Sequence, residues 1–248
     1  MRRLIALLSV ILIAAGPVRA ADKPLNVAVA SNFRTAMNAL AASFEERTGH
    51  KVNLAFGSSG KHYAQIRNGA PFDAFFAADA VRPSRLEAEG IALPGSRFTY
   101  ALGRLVLWSP QPGYVDSDGA VLRNGDFRHL AIANPELAPY GAAAREALQS
   151  LGLWKALQGR LVRGENIGQA YQFVHSGNAE LGFISQSLLA WPGHPASGSW
   201  MIVPQGLYVP IEQQAVLLRD SEAARALMAF ARSPEARALI EAYGYEAP

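Results

Sequence analysis

The chain has 248 residues, half of them hydrophobic, with 23 Lys and Arg against 20 Asp and Glu and no cysteine. Three of the arginines lie in the first twenty residues, and removing them leaves 20 basic residues against 20 acidic ones. A nucleic-acid-binding protein needs a basic stripe, and no Lys/Arg cluster remains after that segment. Without cysteine, thiolate catalysis and cysteine-ligated metal sites are excluded.

Residues 1–20 have the pattern of a secretory signal peptide. Arg2 and Arg3 precede an apolar run from Leu4 to Ala15, and a small-x-small cleavage site ends at Ala20. The apolar run is too short to cross a bilayer as a helix, for which about 20 residues are needed. We therefore predict a cleaved signal and export to the periplasm, rather than a retained membrane anchor.

Strands and helices alternate through the next part of the chain. Apolar runs predict strands at 25–30, 52–56 and 73–77, with a helix ending at Gly49, a helix through Ile66 and a helix at 81–89. Three such units in fewer than about ninety residues predict a parallel sheet with helices on both faces.

The rhythm changes in the middle of the chain. A long strand is predicted at 98–109 with no helix directly after it, and a second long extended segment is predicted at 208–218. Between them, strands near 129–133, 161 and 181–184 alternate with helices at 141–151, near Trp154 and at 167–175. Two helices close the chain, and the last begins with Ser233 and Pro234 as cap and first helical residue.

These patterns predict an α/β fold of two lobes, each built on a doubly wound sheet, joined by two crossing strands. Lobe 1 is expected at 21–100 and lobe 2 at 101–207, with 208–248 returning to lobe 1. A single larger α/β domain is the alternative.

Four short segments lie where strands or loops turn into helices. They are Ala-Ser-Asn-Phe at 30–33, Gly-Ser-Ser-Gly at 57–60, Ala-Pro-Tyr-Gly at 138–141 and Glu-Asn-Ile-Gly at 165–168. Helix starts leave N–H groups unpaired and carry about half a positive charge each. Four converging starts would together offer about two positive charges, which matches a dianion without any lysine or arginine. Ordinary N-capping is the alternative for any one segment.

Residue types in these segments agree with an anion site. Ser31, Asn32 and Ser59 would add hydroxyl or amide donors. Glycine would let the backbone approach a ligand closely, and it stands at Gly57, Gly60, Gly141 and Gly168.

The chain resembles the periplasmic molybdate-binding proteins of ABC importers. The resemblance is carried by motifs at 27–33, 56–60 with 65–66, 69–73 through 79, 134–135 with 139–141, 165–167, 181–183 and 233–235 with 243–245. It implies a type II periplasmic-binding-protein fold that holds molybdate or tungstate between its lobes and delivers it to a membrane permease. It further implies a monomer with no cofactor, no protein-ligated metal and no catalytic activity.

Carried onto matching positions, the resemblance implies five oxyanion-binding residues. They are Ser31, Asn32 and Ser59 from the first lobe and Tyr140 and Ile167 from the second. Ile167 would act through its backbone N–H. Many relatives have a tyrosine after the strand at 181–184, where this chain has Ser185, and this departure leaves Tyr140 as the expected tyrosine donor.

A site made only of donors favours a fully ionised anion. Phosphate keeps a proton near neutral pH and would need an acceptor, whereas no acid occupies the core positions of the four segments; Glu136 and Glu165 only flank them. Sulfate differs from molybdate mainly in size, and it remains the alternative ligand.

Three other functional hypotheses have less support. The segment Gly57 to Lys61 has neither the spacing of a phosphate-binding loop nor that of a hydrolase nucleophile elbow. An exported serine hydrolase using Ser59 remains an alternative, although no general base lies at a suitable spacing. The five histidines are scattered without ligand spacing, so no metal site is predicted.

Overall fold

The computed structural model describes residues 23–189, 191–246 and 248, and the predicted signal peptide therefore lies outside the described residues. The strands are β1 Leu25–Ala30, β2 Val52–Gly57, β3 Ala74–Phe76, β4 Phe98–Gly103, β5 Leu105–Ser109, β6 Leu130–Ala133, β7 Leu161–Gly164, β8 Leu181–Ser185, β9 Ser199–Ile202 and β10 Ile211–Leu217. The helices are α1 Arg34–Thr48, α2 Ser59–Arg67, α3 Val81–Ala88, α4 Val121–Asn124, α5 Pro139–Ser150, α6 Trp154–Leu157, α7 Ile167–His175, α8 Glu222–Ala231 and α9 Pro234–Ala242.

The strands form two five-stranded sheets. The first has the order β2-β1-β3-β10-β4 and the second the order β7-β6-β8-β5-β9. Within the first sheet β1 is parallel to β2 and β3, and β10 is antiparallel to β3 and β4. In the second sheet β6 is parallel to β7 and β8, while β5 is antiparallel to β8 and β9. The predicted two-lobed α/β fold is confirmed, with antiparallel strands added to each parallel core.

The segment at 98–109, predicted as one strand, is divided at Arg104. Gly103 still pairs with Ile211 in the first sheet, whereas Leu105 already pairs with Ser185 in the second. The prediction of a single strand was wrong because each half has a different partner, which apolar periodicity along the chain cannot reveal. This change of sheet is the first crossing between the lobes.

The chain returns between β9 and β10. β9 was not predicted, because its four residues, Ser-Trp-Met-Ile, show no alternation of polar and apolar residues and follow a stretch rich in glycine and proline. The predicted extended segment at 208–218 is shorter in the structure, since β10 begins only after Pro210. Proline has no N–H to donate to a strand ladder, which explains the later start.

Both terminal helices pack on the first sheet beside α1. Met37 and Phe44 of α1 share one core with Leu227 of α8 and Ile240 of α9. As predicted, Ser233 caps α9, because its Oγ accepts from the N–H of Ala236 at 3.2 Å. No helix in the described part of the chain is long and apolar enough to cross a membrane.

Candidate functional site

A small cavity lies where the two lobes meet, and all four predicted segments reach it. It is lined by Ala30, Ser31, Asn32, Gly57, Ser58, Ser59, Ala78, Ala138, Pro139, Tyr140, Asn166 and Ile167. Its free space measures about 10 Å³, which is about the room that one water molecule needs. The five predicted binding residues therefore lie together around one void.

Ser59 is the first residue of α2 and is almost fully buried. Its Oγ accepts a hydrogen bond from the N–H of Ala78 at 2.9 Å. Because this bond occupies a lone pair, the hydroxyl proton of Ser59 is left to donate into the cavity. Its neighbour Ser58 has the structural role instead, since its Oγ caps α2 by accepting from the N–H of Lys61 at 3.3 Å.

Ser31 lies in the single turn of 3₁₀ helix that connects β1 to α1. Its Oγ accepts from the N–H of Gly168, at 3.2 Å, in the opposite lobe. As with Ser59, the bond fixes the oxygen as an acceptor toward the protein and leaves the proton available to a guest. The same bond joins the lobes directly beside the cavity.

The second lobe contributes Tyr140 and Ile167 from the starts of α5 and α7. The Tyr140 hydroxyl accepts from Nε2 of Gln213 at 3.3 Å. Burial raises the pKa of Tyr140 well above its ordinary value, so the hydroxyl stays protonated and can donate. Ile167 is the first residue of α7, where an N–H has no intrahelical partner, and Asn166 caps that helix by accepting from Gln169.

Asn32 lines the cavity, but its side-chain NH₂ group donates both of its hydrogens to protein acceptors. Its Nδ2 donates to Oε1 of Gln213 at 2.7 Å and to the hydroxyl of Tyr245 at 3.0 Å. The sequence suggested this amide as a ligand donor, whereas the structure uses both of its hydrogens internally. The backbone N–H of Asn32, in the first turn after β1, is the donor that it can direct toward a guest.

Gln213 and Tyr245 are polar residues near the site that sequence reasoning did not identify. Gln213 is fully buried on β10, and its neighbours Glu212 and Gln214 are also polar, so no signal in the sequence singles it out. Ser185, which stands where relatives have a tyrosine, is buried and bonds to Ser187 at 3.1 Å. Ser187 in turn donates to the backbone oxygen of Asn32 at 3.0 Å, so this pair supports the first lobe without lining the cavity.

No charged residue lines the cavity in the described part of the chain. The polar groups that face it are hydroxyls and helix-start N–H groups, which are suited to an anion that can only accept. The flanking acids are paired elsewhere: Glu165 with Lys61 at 2.7 Å and Glu136 with Arg145 at 2.6 Å. Among the described residues, no three His, Asp or Glu side chains come together as a metal site.

A larger cleft, of about 620 Å³, also lies between the lobes. It is lined by the carboxylates of Asp79, Glu136, Glu146 and Glu212 together with two arginines. Carboxylates repel a dianion, so the small cavity, where Ser31, Asn32 and Ser59 are buried and the described lining is uncharged, is the better oxyanion site.

Contacts across the cavity rim hold the lobes in a closed arrangement. The N–H of Gly60 donates to the backbone oxygen of Leu137 at 2.8 Å. Nearby, Nη2 of Arg82 donates to the backbone oxygen of Glu136 at 3.2 Å. Both bonds cross from the first lobe to the second, and they enclose the site.

His62 lies on α2 behind the Gly-Ser-Ser-Gly segment and is 4% exposed. Burial lowers its pKa from 6.5, which means that folding favours the neutral ring. The unfolded chain therefore binds this proton more readily, so stability is full above the unfolded pKa and is lost as pH falls toward the lower folded value. We expect the wild-type melting temperature to drop below about pH 6.5 and His62→Gln to flatten that drop.

The exposed His129 provides the matched control for this pH dependence. His129→Gln should reproduce the wild-type profile of melting temperature against pH. If His62→Gln and His129→Gln give the same profile, the burial of His62 does not control acid stability.

Comparisons with known proteins agree with this geometry. The family model described as bacterial extracellular solute-binding protein matches residues 25–246. A molybdate-binding protein of Azotobacter vinelandii is 53% identical over 224 residues, covering 89% of each chain. One of Rhodobacter capsulatus is 51% identical over 221 residues, covering 88% of this chain and 86% of that protein.

Solved structures give the same result. The periplasmic molybdate-binding protein of Azotobacter vinelandii superposes with a TM-score of 0.87 at 45% identity, covering 90% of this chain and 99% of that one. A sulfate-binding protein from Mycobacterium tuberculosis has a TM-score of 0.70 at 15% identity, covering 91% and 87% of the two chains. At that identity the second match shows likeness of fold alone.

Proposed function

We propose a transport function for this chain, which belongs to the bacterial extracellular solute-binding protein family: it is the substrate-binding component of a molybdate or tungstate ABC importer. The observation that carries the proposal is the interlobe cavity, whose lining among the described residues holds hydrogen-bond donors and no charged side chain. A fully ionised tetrahedral oxyanion accepts hydrogen bonds at every oxygen, which this lining satisfies. The molybdate-binding relatives in two organisms support the choice of ligand.

The five predicted residues have complementary roles in this proposal. Ser31 and Ser59 donate through hydroxyls whose oxygens are already held by the protein. Asn32, Tyr140 and Ile167 donate through backbone N–H groups in the first turns of helices. In the closed form these donors are already held in place by the protein, which lowers the cost of ordering them around a ligand.

Binding is coupled to closure of the lobes. Ser31 and Ser59 belong to the first lobe and Tyr140 and Ile167 to the second, so an open form offers the anion only half of its contacts. A ligand that makes additional contacts in the closed form shifts the population toward it. The permease then recognises the closed, loaded protein.

We further propose that the protein is exported and acts alone, without a cofactor. Residues 1–20 direct export and are removed, and the mature chain acts as a monomer in the periplasm. It carries molybdenum only as the bound oxyanion and uses no cofactor.

Hydrolysis by Ser59 is the competing function from a different class. The Ser59 hydroxyl bonds to the N–H of Ala78, which is not a base. The nearby ring of His62 faces the backbone oxygen of Val29 and the side chain of Gln65, each at 3.2 Å, and so is not a base for Ser59. Turnover of generic ester or phosphate substrates that is lost in Ser59→Ala would favour a hydrolase.

Titration calorimetry of the purified protein with molybdate, tungstate, sulfate and phosphate tests the ligand assignment. We expect molybdate and tungstate to bind, phosphate to fail, and Ser59→Ala to weaken molybdate binding by about 1–3 kcal/mol, the scale of a lost hydrogen bond to a charged group. Sulfate binding tighter than molybdate binding would instead assign the sulfate function.

Ser233, which caps α9 and does not line the cavity, provides the control for Ser59. Ser233→Ala removes a helix cap, so it should lower stability by about 1 kcal/mol and leave affinity nearly unchanged. Equal affinities of Ser59→Ala and the wild type would remove Ser59 from the binding site.

A further inference from the structure

One ion pair, here called the interlobe ion pair, crosses between the lobes beside the cavity. Nζ of Lys61 lies 2.7 Å from Oε1 of Glu165. Lys61 belongs to α2 in the first lobe, and Glu165 lies between β7 and α7 in the second. The other ion pairs of the described residues join partners within one lobe or, for Arg104 and Glu246, involve the crossing itself. Within that part of the chain, Lys61–Glu165 is therefore the ion pair that opening of the lobes would break.

Each partner of the interlobe ion pair stands close to a proposed oxyanion-binding residue. Lys61 follows Ser59 by two positions, and Glu165 precedes Ile167 by two positions. Because consecutive Cα atoms are about 3.8 Å apart, each charged residue has its Cα within about 7.6 Å of the Cα of its binding neighbour. The interlobe ion pair therefore joins the two sides of the site, not remote parts of the lobes.

The backbones of both partners are held by hydrogen bonds within their own lobes. The N–H of Lys61 donates to Oγ of Ser58 at 3.3 Å, which is the bond that caps α2. The N–H of Glu165 donates to Oε1 of Gln169 at 2.6 Å, in the first turn of α7. The separation of the two charges therefore follows the separation of the starts of α2 and α7, apart from motion of the side chains.

Glu165 also faces a cleft next to the cavity. This cleft, of about 500 Å³, shares Ser31 and Asn166 with the cavity as lining residues. A lone carboxylate at this place repels a dianion in the site. The ammonium group of Lys61 offsets that repulsion when the lobes are closed and the two groups meet.

We propose that Lys61 and Glu165 are positioning residues that stabilise the closed, oxyanion-loaded form, because they pair only when the lobes meet. This role rests on the proposed function, since closure matters to affinity only if the anion is bound between the lobes. The two side chains are 51% and 44% exposed, which limits the effect of the pair. Exposed ion pairs of this kind change an equilibrium by about 2- to 5-fold.

Lys61→Gln, Glu165→Gln and the double variant test this role by calorimetry with molybdate. Each single substitution also removes a charge that acts directly on the dianion, and these direct effects of two separate charges add. Non-additive losses therefore measure pairing that is present in the loaded protein and absent in the free one. We expect Lys61→Gln to weaken binding about 2- to 5-fold more in the wild-type background than in the Glu165→Gln background.

Glu45 and Lys51 provide the matched control cycle. Nζ of Lys51 lies 2.8 Å from Oε2 of Glu45, and both residues belong to the first lobe. This pair persists whether the lobes are open or closed, so its contribution cancels from the affinity. The losses from Lys51→Gln and Glu45→Gln should therefore add to within about 1.5-fold.

Exchange of the charges separates pairing from packing. Lys61→Glu places two carboxylates across the cleft and should weaken molybdate binding about 10-fold. Glu165→Lys restores opposite charges in that background but creates two like charges in the wild type. We expect Glu165→Lys to improve binding at least about 3-fold more in the Lys61→Glu background than in the wild type.

Salt and stability give two further measurements of the same variants. The non-additivity at about 0.05 M sodium chloride should disappear by about 1 M, because salt screens exposed charges. Without ligand, Lys61→Gln and Glu165→Gln should change the melting temperature by less than about 2 °C, since both side chains are at the surface. A role in folding would instead appear as a loss of stability in the free protein.

The outcomes distinguish the role of the ion pair from the proposed function. Wild-type protein that binds none of molybdate, tungstate, sulfate and phosphate contradicts the proposed function. Wild-type binding of molybdate with additive losses for Lys61→Gln and Glu165→Gln, or with non-additivity no larger than in the Glu45 and Lys51 cycle, overturns the role of the interlobe ion pair alone.

Discussion

Replacing Gly60 by alanine should weaken molybdate binding by about 10- to 100-fold and leave the unliganded protein folded. A Cβ at Gly60 would lie 2.8 Å from the backbone oxygen and 3.0 Å from the Cα of Leu137 in the opposite lobe. Both are backbone atoms that cannot rotate away, so the closed form must shift. In an open form this contact is absent, and alanine is the better helix former by up to about 1 kcal/mol.

Calorimetry and thermal unfolding together test this expectation. Gly159→Ala provides the control, because a Cβ there would meet no atom within 4 Å. Gly60→Ala should lose affinity with an unchanged or raised melting temperature in the absence of ligand. An affinity equal to that of Gly159→Ala would mean that closure does not bring Gly60 against Leu137.

The position of Gly60 explains why Gly60→Ala should lower affinity without lowering the stability of the unliganded protein. It lies one residue after Ser59, and its N–H crosses to Leu137 while Ser59 faces the cavity. The residue that faces the cavity and the residue that contacts the opposite lobe are therefore neighbours at the start of α2. The contact with Leu137, which leaves no room for a Cβ at Gly60, is made only when the lobes meet. The last glycine of the Gly-Ser-Ser-Gly segment thus has a role in closure, whereas the sequence suggested approach to the ligand.

The parts of the site that sequence predicts best are those with a local signal. Ser59 and Ile167 are first residues of helices, and helix starts are marked by capping residues and apolar spacing within a few positions. The order of strand and helix then places these starts at the same edges of the two sheets. Convergence of the four segments could therefore be anticipated, although their ligand contacts remain predictions.

The hydrogen bonds of the Asn32 side chain could not be predicted, because they join distant parts of the sequence. Asn32 and Gln213 are 181 residues apart, and Asn32 and Tyr245 are 213 apart. Periodicity identifies Gln213 only as a buried polar residue in a strand, with no indication of its partners. For the same reason Asn32 was expected to donate its side chain to the ligand, since the groups that use its two hydrogens are not near it in sequence.

Gly141→Ala should destabilise the protein by about 3 kcal/mol, at the upper end of the usual cost of overpacking. An added Cβ would lie 2.3 Å from the backbone oxygen of Ala133, where β6 ends beneath the start of α5, and 2.9 Å from the carbonyl carbon of Asn134. Helix and strand are part of one lobe, so opening the cleft gives no relief. Denaturant unfolding without ligand measures the loss directly.

Gly206→Ala is the control for this loss, since a Cβ there has no neighbour within 4 Å. Gly60→Ala should change affinity by opposing closure of the lobes, whereas Gly141→Ala should change the stability of the second lobe itself. Gly141→Ala should lower stability in the absence of ligand, because the clash exists in open and closed forms alike. If Gly141→Ala unfolds at the same denaturant concentration as Gly206→Ala and loses only affinity, α5 must be free to lift from β6, and the second lobe is less rigidly packed than its distances indicate.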